Sequence, residues 1–228
     1  MERNNVPQCV GFIMDGNRRW AVAQGKFPLE GHKAGYSSFK NIVEAVYDAH
    51  IPHMVCYAFS TENWKRAEEE VGYLMSLLES ALIELPDLLQ KKGKIHLRVI
   101  GELNTLSQKL REAIACAESK NHDDPDLTVW VALSYGGRRE IVDAVNRAVS
   151  IGTPVSEESF GKMLWTYGMP DPDLIIRTSG EMRTSNFLLW QSAYSELFFT
   201  KTLWPDFGES EFQSILHEYA TRERRKGQ

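Results

Sequence analysis

The sequence has no apolar run close to the roughly 20 residues that a membrane-spanning helix needs, so no such span is expected. Its three cysteines, Cys9, Cys56 and Cys116, lack metal-type spacing, which predicts buried thiols in a reducing compartment. The first residues lack the basic-then-apolar layout of a secretory signal, so we expect a cytoplasmic protein. A net charge of only −5 excludes extensive disorder and argues against a nucleic-acid partner.

The chain does contain ample material for one large core, because 43% of its 228 residues are hydrophobic. Short β-rich runs alternate with longer helix-period runs, which is the pattern of crossover units on a parallel sheet. We predict a single α/β domain over residues 1–228, with its core at about 9–225 and a central, largely parallel six-stranded sheet flanked by helices. The predicted strands are Cys9–Met14, His53–Phe59, Ile95–Ile100, Leu127–Leu133, Leu174–Thr178 and Leu197–Thr200. The predicted helices are Lys33–Ala49, Ala67–Leu89, Thr105–Lys120, Arg138–Val149, Ser156–Trp165 and Glu209–Arg224.

Ligands of open parallel sheets bind beyond the carboxyl ends of the strands, so a binding site is expected in the loops that follow the strands. Four of these loops concentrate glycine, arginine, asparagine and serine, and the first contains Asp15, Gly16, Arg18 and Arg19 at a predicted helix start. Glycine lets backbone N–H groups approach an anion closely, and arginine donates forked hydrogen bonds to phosphate oxygens. A carboxylate beside a phosphate, in contrast, requires an intervening cation such as Mg²⁺. A tight turn with Asp15 as a helix cap is an equally open interpretation.

Other charged residues near the predicted strand ends also allow two interpretations. Arg177 ends an apolar run, so its guanidinium should meet either a protein carboxylate or an anion of a substrate. Glu196 begins the last strand region and is either a second metal carboxylate or the partner of an arginine. His32, near a helix start, is a candidate phosphate ligand, although a lone histidine there is more often structural.

The predicted helix over residues 67–89 has an apolar stripe wider than a surface helix requires. Either the helix packs on two sides, or one of its faces lines a hydrophobic channel. A polar phosphate-binding mouth joined to an apolar channel would suit an amphiphilic substrate. The residues of the stripe are Val71, Leu74, Met75, Leu77, Leu78, Ala81, Leu82, Leu85, Leu88 and Leu89.

A series of motifs along the chain resembles those of the cis-prenyltransferase family, and most closely those of bacterial undecaprenyl diphosphate synthases. The first three are M-D-G-N-R-R-W-A (Met14–Ala21), G-H-K-A-G (Gly31–Gly35) and Y-A-F-S-T-E-N-W-K-R (Tyr57–Arg66). The others are Y-G-G-R-R-E-I (Tyr135–Ile141), R-T-S-G-E-M-R-T-S-N-F-L-L-W-Q (Arg177–Gln191), Y-S-E-L-F-F (Tyr194–Phe199) and W-P-D-F (Trp204–Phe207).

The resemblance implies a Mg²⁺-dependent enzyme that condenses isopentenyl diphosphate onto an allylic diphosphate, with farnesyl diphosphate as the expected primer. The new double bonds would be cis, and the growing chain would occupy a hydrophobic tunnel. The expected product is a long polyprenyl diphosphate, undecaprenyl diphosphate, which is the lipid-carrier precursor for cell-wall synthesis. The alternatives are a short- or medium-chain product and a non-catalytic family subunit. The resemblance also implies a homodimer with peripheral contact to membrane lipid.

The resemblance assigns roles to individual residues of this sequence. It implies Asp15, Ser60 and Asn63 as catalytic residues, and Asp15 and Glu196 as metal ligands. Lys26 joins the substrate-binding residues because Pro28 stands where bacterial relatives often have an arginine. The full implied substrate-binding set is Gly16, Asn17, Arg18, Arg19, Trp20, Lys26, His32, Ser60, Thr61, Glu62, Trp64, Arg66, Arg177, Arg183, Thr184 and Ser185.

Overall fold

The computed structural model describes residues 6–222, and six strands of this range form one sheet. The strands are β1 (Cys9–Ile13), β2 (His53–Ser60), β3 (Ile95–Ile100), β4 (Leu127–Tyr135), β5 (Leu174–Arg177) and β6 (Glu196–Phe199). Their order across the sheet is β3-β4-β2-β1-β5-β6, and every pairing is parallel. The predicted α/β class and six-stranded sheet are therefore confirmed.

The helices of the described range are α1 (Asn17–Ala23), α2 (Glu30–Asp48), α3 (Glu68–Lys92), α4 (Gln108–Ser119), α5 (Gly137–Ile151), α6 (Glu157–Gly161) and α7 (Glu209–Thr221). The prediction of a helix to Trp165 is wrong, because the chain after Gly161 forms turns closed by i to i+3 hydrogen bonds. The predicted end of the last helix, Arg224, lies outside the described residues.

The sheet is buried on both faces, which explains why its strands are almost continuously apolar. All five residues of β1 are buried, as are all nine of β4. Val10 and Phe12 point into the larger core with α2, α3, α4 and α7, while Cys9 and Ile13 point into a smaller cluster on the other face. Within residues 6–222, no helix is both long enough and apolar enough to cross a bilayer.

The parallel order brings the predicted functional loops together. The strands β4, β2, β1 and β5 are consecutive in the sheet, so the four loops that follow them leave from one edge. These are the loops in which the sequence concentrates glycine, arginine, asparagine and serine. The candidate site lies at this edge.

Candidate active site

The loop after β1 makes a sharp turn at Gly16, which is the N-cap of α1. Its φ of 110° is in the left-handed region that favours glycine, and a Cβ there would lie 2.9 Å from Leu203 Cδ2. The turn leaves Asp15 ahead of the helix and puts Arg18 and Arg19 in its first turn. The N-cap position of α1 is Gly16 and no side-chain hydrogen bond caps the helix, so the interpretation of Asp15 as its cap is wrong.

Two glycines of α2 allow this helix to pack directly against α1. A Cβ at Gly31 would lie 1.9 Å from the backbone oxygen of Asn17, and one at Gly35 would lie 2.1 Å from Asn17 Oδ1. Both separations are far inside van der Waals contact, so a Cβ at Gly31 would collide with backbone and a Cβ at Gly35 would have to displace the Asn17 side chain. His32 follows Gly31, and the close contact of the two helices places its side chain in the wall of the same cavity as the arginines of α1.

Asp15 forms an ion pair with Arg177, which ends the neighbouring strand β5. Nη2 of Arg177 donates to Asp15 Oδ2 at 2.9 Å, while its Nη1 donates to the carbonyl oxygen of Arg183 at 2.6 Å and to Ser185 Oγ at 2.7 Å. Arg177 is 4% exposed, so the protein carboxylate provides the partner that burial requires. Both side chains nevertheless line the cavity, which leaves the guanidinium available to an anion.

The ionisation of Asp15 follows from these contacts. Burial acts to raise its pKa, but hydrogen bonds from Arg177 and Ser179, together with the charges of Arg177 and Arg19, outweigh burial and hold the pKa below its ordinary value. Its side chain remains 33% exposed. Asp15 is therefore a carboxylate at neutral pH that a ligand in the cavity can reach.

Further arginines surround this pair. Arg19 Nη2 lies 3.5 Å from Asp15 Oδ1, and its Nη1 donates to the carbonyl oxygen of Ser179 at 3.2 Å and lies 3.7 Å from Glu181 Oε1. Glu181 also accepts from Arg183 Nη1 at 2.6 Å. The edge of the sheet therefore carries a network in which guanidiniums are held in place by carboxylates.

A second carboxylate network lies on the α3 side of the cavity. Both carboxylate oxygens of Glu70 form ion pairs, with Arg66 Nη1 at 2.9 Å and with Arg18 Nη1 at 3.3 Å. His32 Nε2 lies 3.8 Å from Glu70 Oε1. Burial, followed by the charge of Arg66, lowers the pKa of His32 to about 4 despite the opposing charge of Glu70. The imidazole is therefore neutral at neutral pH.

The segment after β2 is fixed by hydrogen bonds between Ser60 and Asn63. The Ser60 side chain accepts from the Asn63 backbone, and the Ser60 backbone N–H donates to Asn63 Oδ1 at 3.1 Å, which closes a capping box on the short 3₁₀ turn Thr61–Lys65. Asn186 connects this turn to the loop after β5, because its Nδ2 donates to Glu62 Oε1 at 2.8 Å. Burial acts to raise the pKa of Glu62, but hydrogen bonds, that from Asn186 first, lower it below its usual value.

These networks open onto one cavity of about 1190 Å³. One part of its wall is polar and rich in arginine, and the rest is apolar, with α3 as a large contributor. The polar part includes Asp15, Asn17, Arg18, Arg19, His32, Ser60, Glu62, Asn63, Arg66, Arg177, Ser185 and Asn186. The apolar part includes Val22, Ala23, Tyr36, Phe39, Ala58, Leu74, Leu77, Leu78, Ala81, Leu82, Leu85 and Val131.

A sequence profile of the prenyltransferase family, described as undecaprenyl diphosphate synthase, matches residues 13–227. The chain belongs to this family. An isoprenyl transferase of Thermotoga maritima is 44% identical over 227 residues, with 97% of each chain covered. A ditrans,polycis-undecaprenyl-diphosphate synthase ((2E,6E)-farnesyl-diphosphate specific) of Legionella pneumophila is 42% identical, with 99% of this chain and 97% of that protein covered. The chain is therefore a prenyltransferase by family.

Solved structures of the same class have the same fold. Lavandulyl diphosphate synthase from Lavandula x intermedia, in complex with dimethylallyl diphosphate, superposes with a TM-score of 0.94 at 34% identity, covering 99% of this chain and all (100%) of that one. A probable undecaprenyl diphosphate synthase from Campylobacter jejuni superposes with a TM-score of 0.83 at 34% identity, covering 97% and 99%.

Several residues that the family motifs imply as substrate-binding do not line the cavity. Trp20 Nε1 donates to Asp206 Oδ1 at 2.6 Å, and Lys26 Nζ lies 4.8 Å from the centre of the Trp20 ring. Trp64 Nε1 donates to Ser134 Oγ at 2.9 Å. The cation–π contact and these hydrogen bonds hold the three side chains against protein groups. The other implied substrate-binding residues that do not line the cavity are Thr61, Arg183 and Thr184.

Glu196, the expected second metal ligand, is not brought to Asp15 within one chain. It begins β6 beside Leu174, level with Val10 of β1, whereas Asp15 follows the far end of that strand. Its Oε2 accepts a hydrogen bond from Arg222 Nη1 at 2.7 Å. Of the two interpretations of Glu196, the structure therefore shows the one in which it pairs with an arginine. Among residues 6–222, no group of three or more histidine, cysteine, aspartate or glutamate side chains is arranged to hold a metal.

Sequence reasoning did not single out three residues of the site. Glu70 and Glu181 hold the arginines, and Asn186 connects two loops. The i, i+4 spacing of Arg66 and Glu70 was a usable signal for the first of these. The contacts of Glu181 with Arg19 and of Asn186 with Glu62 join segments that are distant in sequence, so residue spacing does not predict these pairings.

Proposed function

We propose that the chain condenses isopentenyl diphosphate onto an allylic diphosphate, farnesyl diphosphate as the primer, and extends it with cis double bonds to undecaprenyl diphosphate. The observation that carries this proposal is the single cavity whose arginine-rich part continues into apolar walls. Diphosphates suit the guanidiniums, since forked Arg contacts match phosphate oxygens, and an isoprenoid chain suits the apolar walls. We infer that the α3 side of the cavity is the hydrophobic tunnel of the growing chain.

The residues of the polar part divide into two cradles. The allylic diphosphate would lie with Arg18, Arg19 and Arg66, and isopentenyl diphosphate with Arg177 and Ser185. Fixed guanidiniums would stabilise the charge on the departing diphosphate as the allylic C–O bond breaks. The shared cavity would hold the alkene against the allylic carbon while the new C–C bond forms.

Removal of the proton that ends each condensation would involve the segment after β2. Asn63 is a neutral amide and a poor base, and its Oδ1 already accepts the Ser60 backbone N–H. This arrangement supports a role in which Asn63 and Ser60 orient the homoallylic substrate, while the proton acceptor would be an oxygen of a diphosphate or an ordered water.

Mg²⁺ fits the donor chemistry at Asp15. Mg²⁺ is commonly bound by one or two carboxylates together with substrate phosphates, and Asp15 is an ionised, partly exposed carboxylate in the cavity wall. Asp15 is the residue by which this chain would hold the ion. When bound, Mg²⁺ would neutralise diphosphate charge and so favour departure of the leaving group.

The test of this function is condensation of labelled isopentenyl diphosphate with farnesyl diphosphate and Mg²⁺, followed by chain-length analysis by thin-layer chromatography. We expect labelled undecaprenyl-length product from the wild type and none from Asp15→Ala. A shorter ladder would replace the long-chain assignment with a short- or medium-chain synthase, an outcome suggested by the likeness to lavandulyl diphosphate synthase. If no label is incorporated with any allylic primer, the remaining alternative is that the chain is a non-catalytic subunit of the family.

A homodimer with peripheral membrane contact completes the proposal. The edge strand β6 supports it, because Leu197 is 37% exposed on that strand and Tyr194 is 74% exposed just before it. We expect light scattering to give twice the mass of one chain. A long polyprenyl product would partition into lipid, so we also expect product release to accelerate when vesicles are present.

A further inference from the structure

Glu70 is the point at which three elements of the polar cavity wall meet. It belongs to the first turn of α3 and forms ion pairs with Arg18 of α1 and with Arg66, two residues before α3, while the neutral imidazole of His32 of α2 lies 3.8 Å away. These three side chains line the cavity, whereas Glu70 is not part of the wall. The carboxylate therefore lies behind two guanidiniums and one neutral imidazole.

The ion pairs of Glu70 restrict the side chains of Arg18 and Arg66. Its side chain is only 11% exposed, and each oxygen is committed to a different arginine. Arg18 is 56% exposed at its side chain and would otherwise sample many rotamers. Each guanidinium has five N–H donors, so an ion pair with Glu70 leaves the remaining donors free for a ligand.

The charge balance leaves this part of the wall attractive to an anion. One carboxylate stands between two guanidiniums, and the imidazole of His32 is neutral because burial lowers its pKa to about 4. The group therefore retains one net positive charge. Glu70 fixes the arginines without cancelling the field that would draw a diphosphate.

We propose that Glu70 is a positioning residue that sets Arg18 and Arg66 in place for the diphosphate of the allylic substrate. The inference rests on the proposed function. The opposite cradle is organised separately, because Arg177 is held by Asp15 at 2.9 Å. Loss of Glu70 should therefore affect one diphosphate and spare the other.

The test compares Glu70→Gln with Glu69→Gln, an exposed residue of the same helical turn that changes the same charge near the same helix start. We measure KM for farnesyl diphosphate, KM for isopentenyl diphosphate, and calorimetric binding of farnesyl thiolodiphosphate, an unreactive allylic analogue. For Glu70→Gln we expect about tenfold weaker analogue binding and a similar rise in the farnesyl diphosphate KM, since charge-assisted contacts no longer orient the guanidiniums. The isopentenyl diphosphate KM, and all values for Glu69→Gln, should change by less than about twofold.

Other outcomes would overturn the proposal. Equal increases in both KM values would indicate a general structural role. Unchanged or tighter binding of the analogue to Glu70→Gln would mean that the carboxylate does nothing for the diphosphate or competes with it. If Glu70→Gln does not fold, Glu70→Asp keeps the charge with a shorter reach, and it should show the same one-sided loss at smaller size. A wild type that binds the analogue but never turns over would refute the proposed function alone, because analogue binding still tests Glu70.

Discussion

Replacing Gly31 with alanine should force α1 away from α2 and damage both stability and activity. The added Cβ would lie 1.9 Å from the backbone oxygen of Asn17, and contacts under 3.0 Å are essentially never observed, so the helices must separate by about 1.1 Å. Overpacking of this kind costs about 1–3 kcal/mol, and the upper end applies because the opposing atom is backbone. A displacement of about 1 Å at catalytic groups can lower activity by about 10²-fold, and α1 carries Arg18 and Arg19.

The matched control is Gly72→Ala, the same chemical change within the exposed part of α3. No atom lies within 4 Å of a Cβ built at Gly72, so alanine should stabilise the helix by about 0.5–1 kcal/mol. Urea unfolding and kcat/KM for the condensation reaction would be measured for both variants. The reasoning is refuted if Gly31→Ala unfolds at the wild-type midpoint, or if both variants shift in the same direction.

Three further predictions concern ionisation, product length and thiol reactivity. The pKa of Asp15 is lower in the folded chain, so its stabilisation is complete above the unfolded value of about 3.9 and is lost as pH falls through the folded pKa. Asp15→Asn should flatten that acid-side loss in urea unfolding, and an unchanged pH profile would contradict this. Ala81→Phe, in the apolar wall, should shorten the product on thin-layer chromatography, whereas Ile83→Phe, 60% exposed on the same helix, should not. The prediction of buried thiols is wrong for Cys116, which is exposed on α4. Because burial raises the pKa of Cys56 to about 12, iodoacetamide should label Cys116 first, and equal labelling by mass spectrometry would count against this.

The strands were predictable because each is a short apolar run that ends in a polar loop. The prediction of Ile95–Ile100 matches β3 residue for residue, and the other strands differ by a few residues at their ends. In a parallel sheet the loops after neighbouring strands leave from the same edge. The predicted sheet therefore already placed Asp15, Ser60 and Arg177 in one region, as the strand order confirms. The family resemblance added roles to residues that composition alone leaves ambiguous, such as Asn63.

The helices were harder to predict than the strands. The apolar stripe of α3 allowed either packing on two sides or a channel wall, and the structure shows the helix packed into the core and lining part of the cavity wall. Leu82 belongs to the core and also lines the cavity, while Leu77 lines the cavity without being part of the core. The helix predicted to reach Trp165 ends at Gly161, because turn hydrogen bonds and tertiary packing override a periodic pattern.

Local periodicity and the direction of parallel strands are enough to predict the α/β class, the loops at the candidate site and the residue types that would bind an anion there. Which charges pair depends on the folded chain. Asp15 meets Arg177 across a separation of 162 positions, Glu70 joins three elements, and Glu196 lies beside Arg222 at the other end of the sheet. Those pairings depend on strand register and on the close approach of helices, which are set by contacts between distant segments and leave no local pattern.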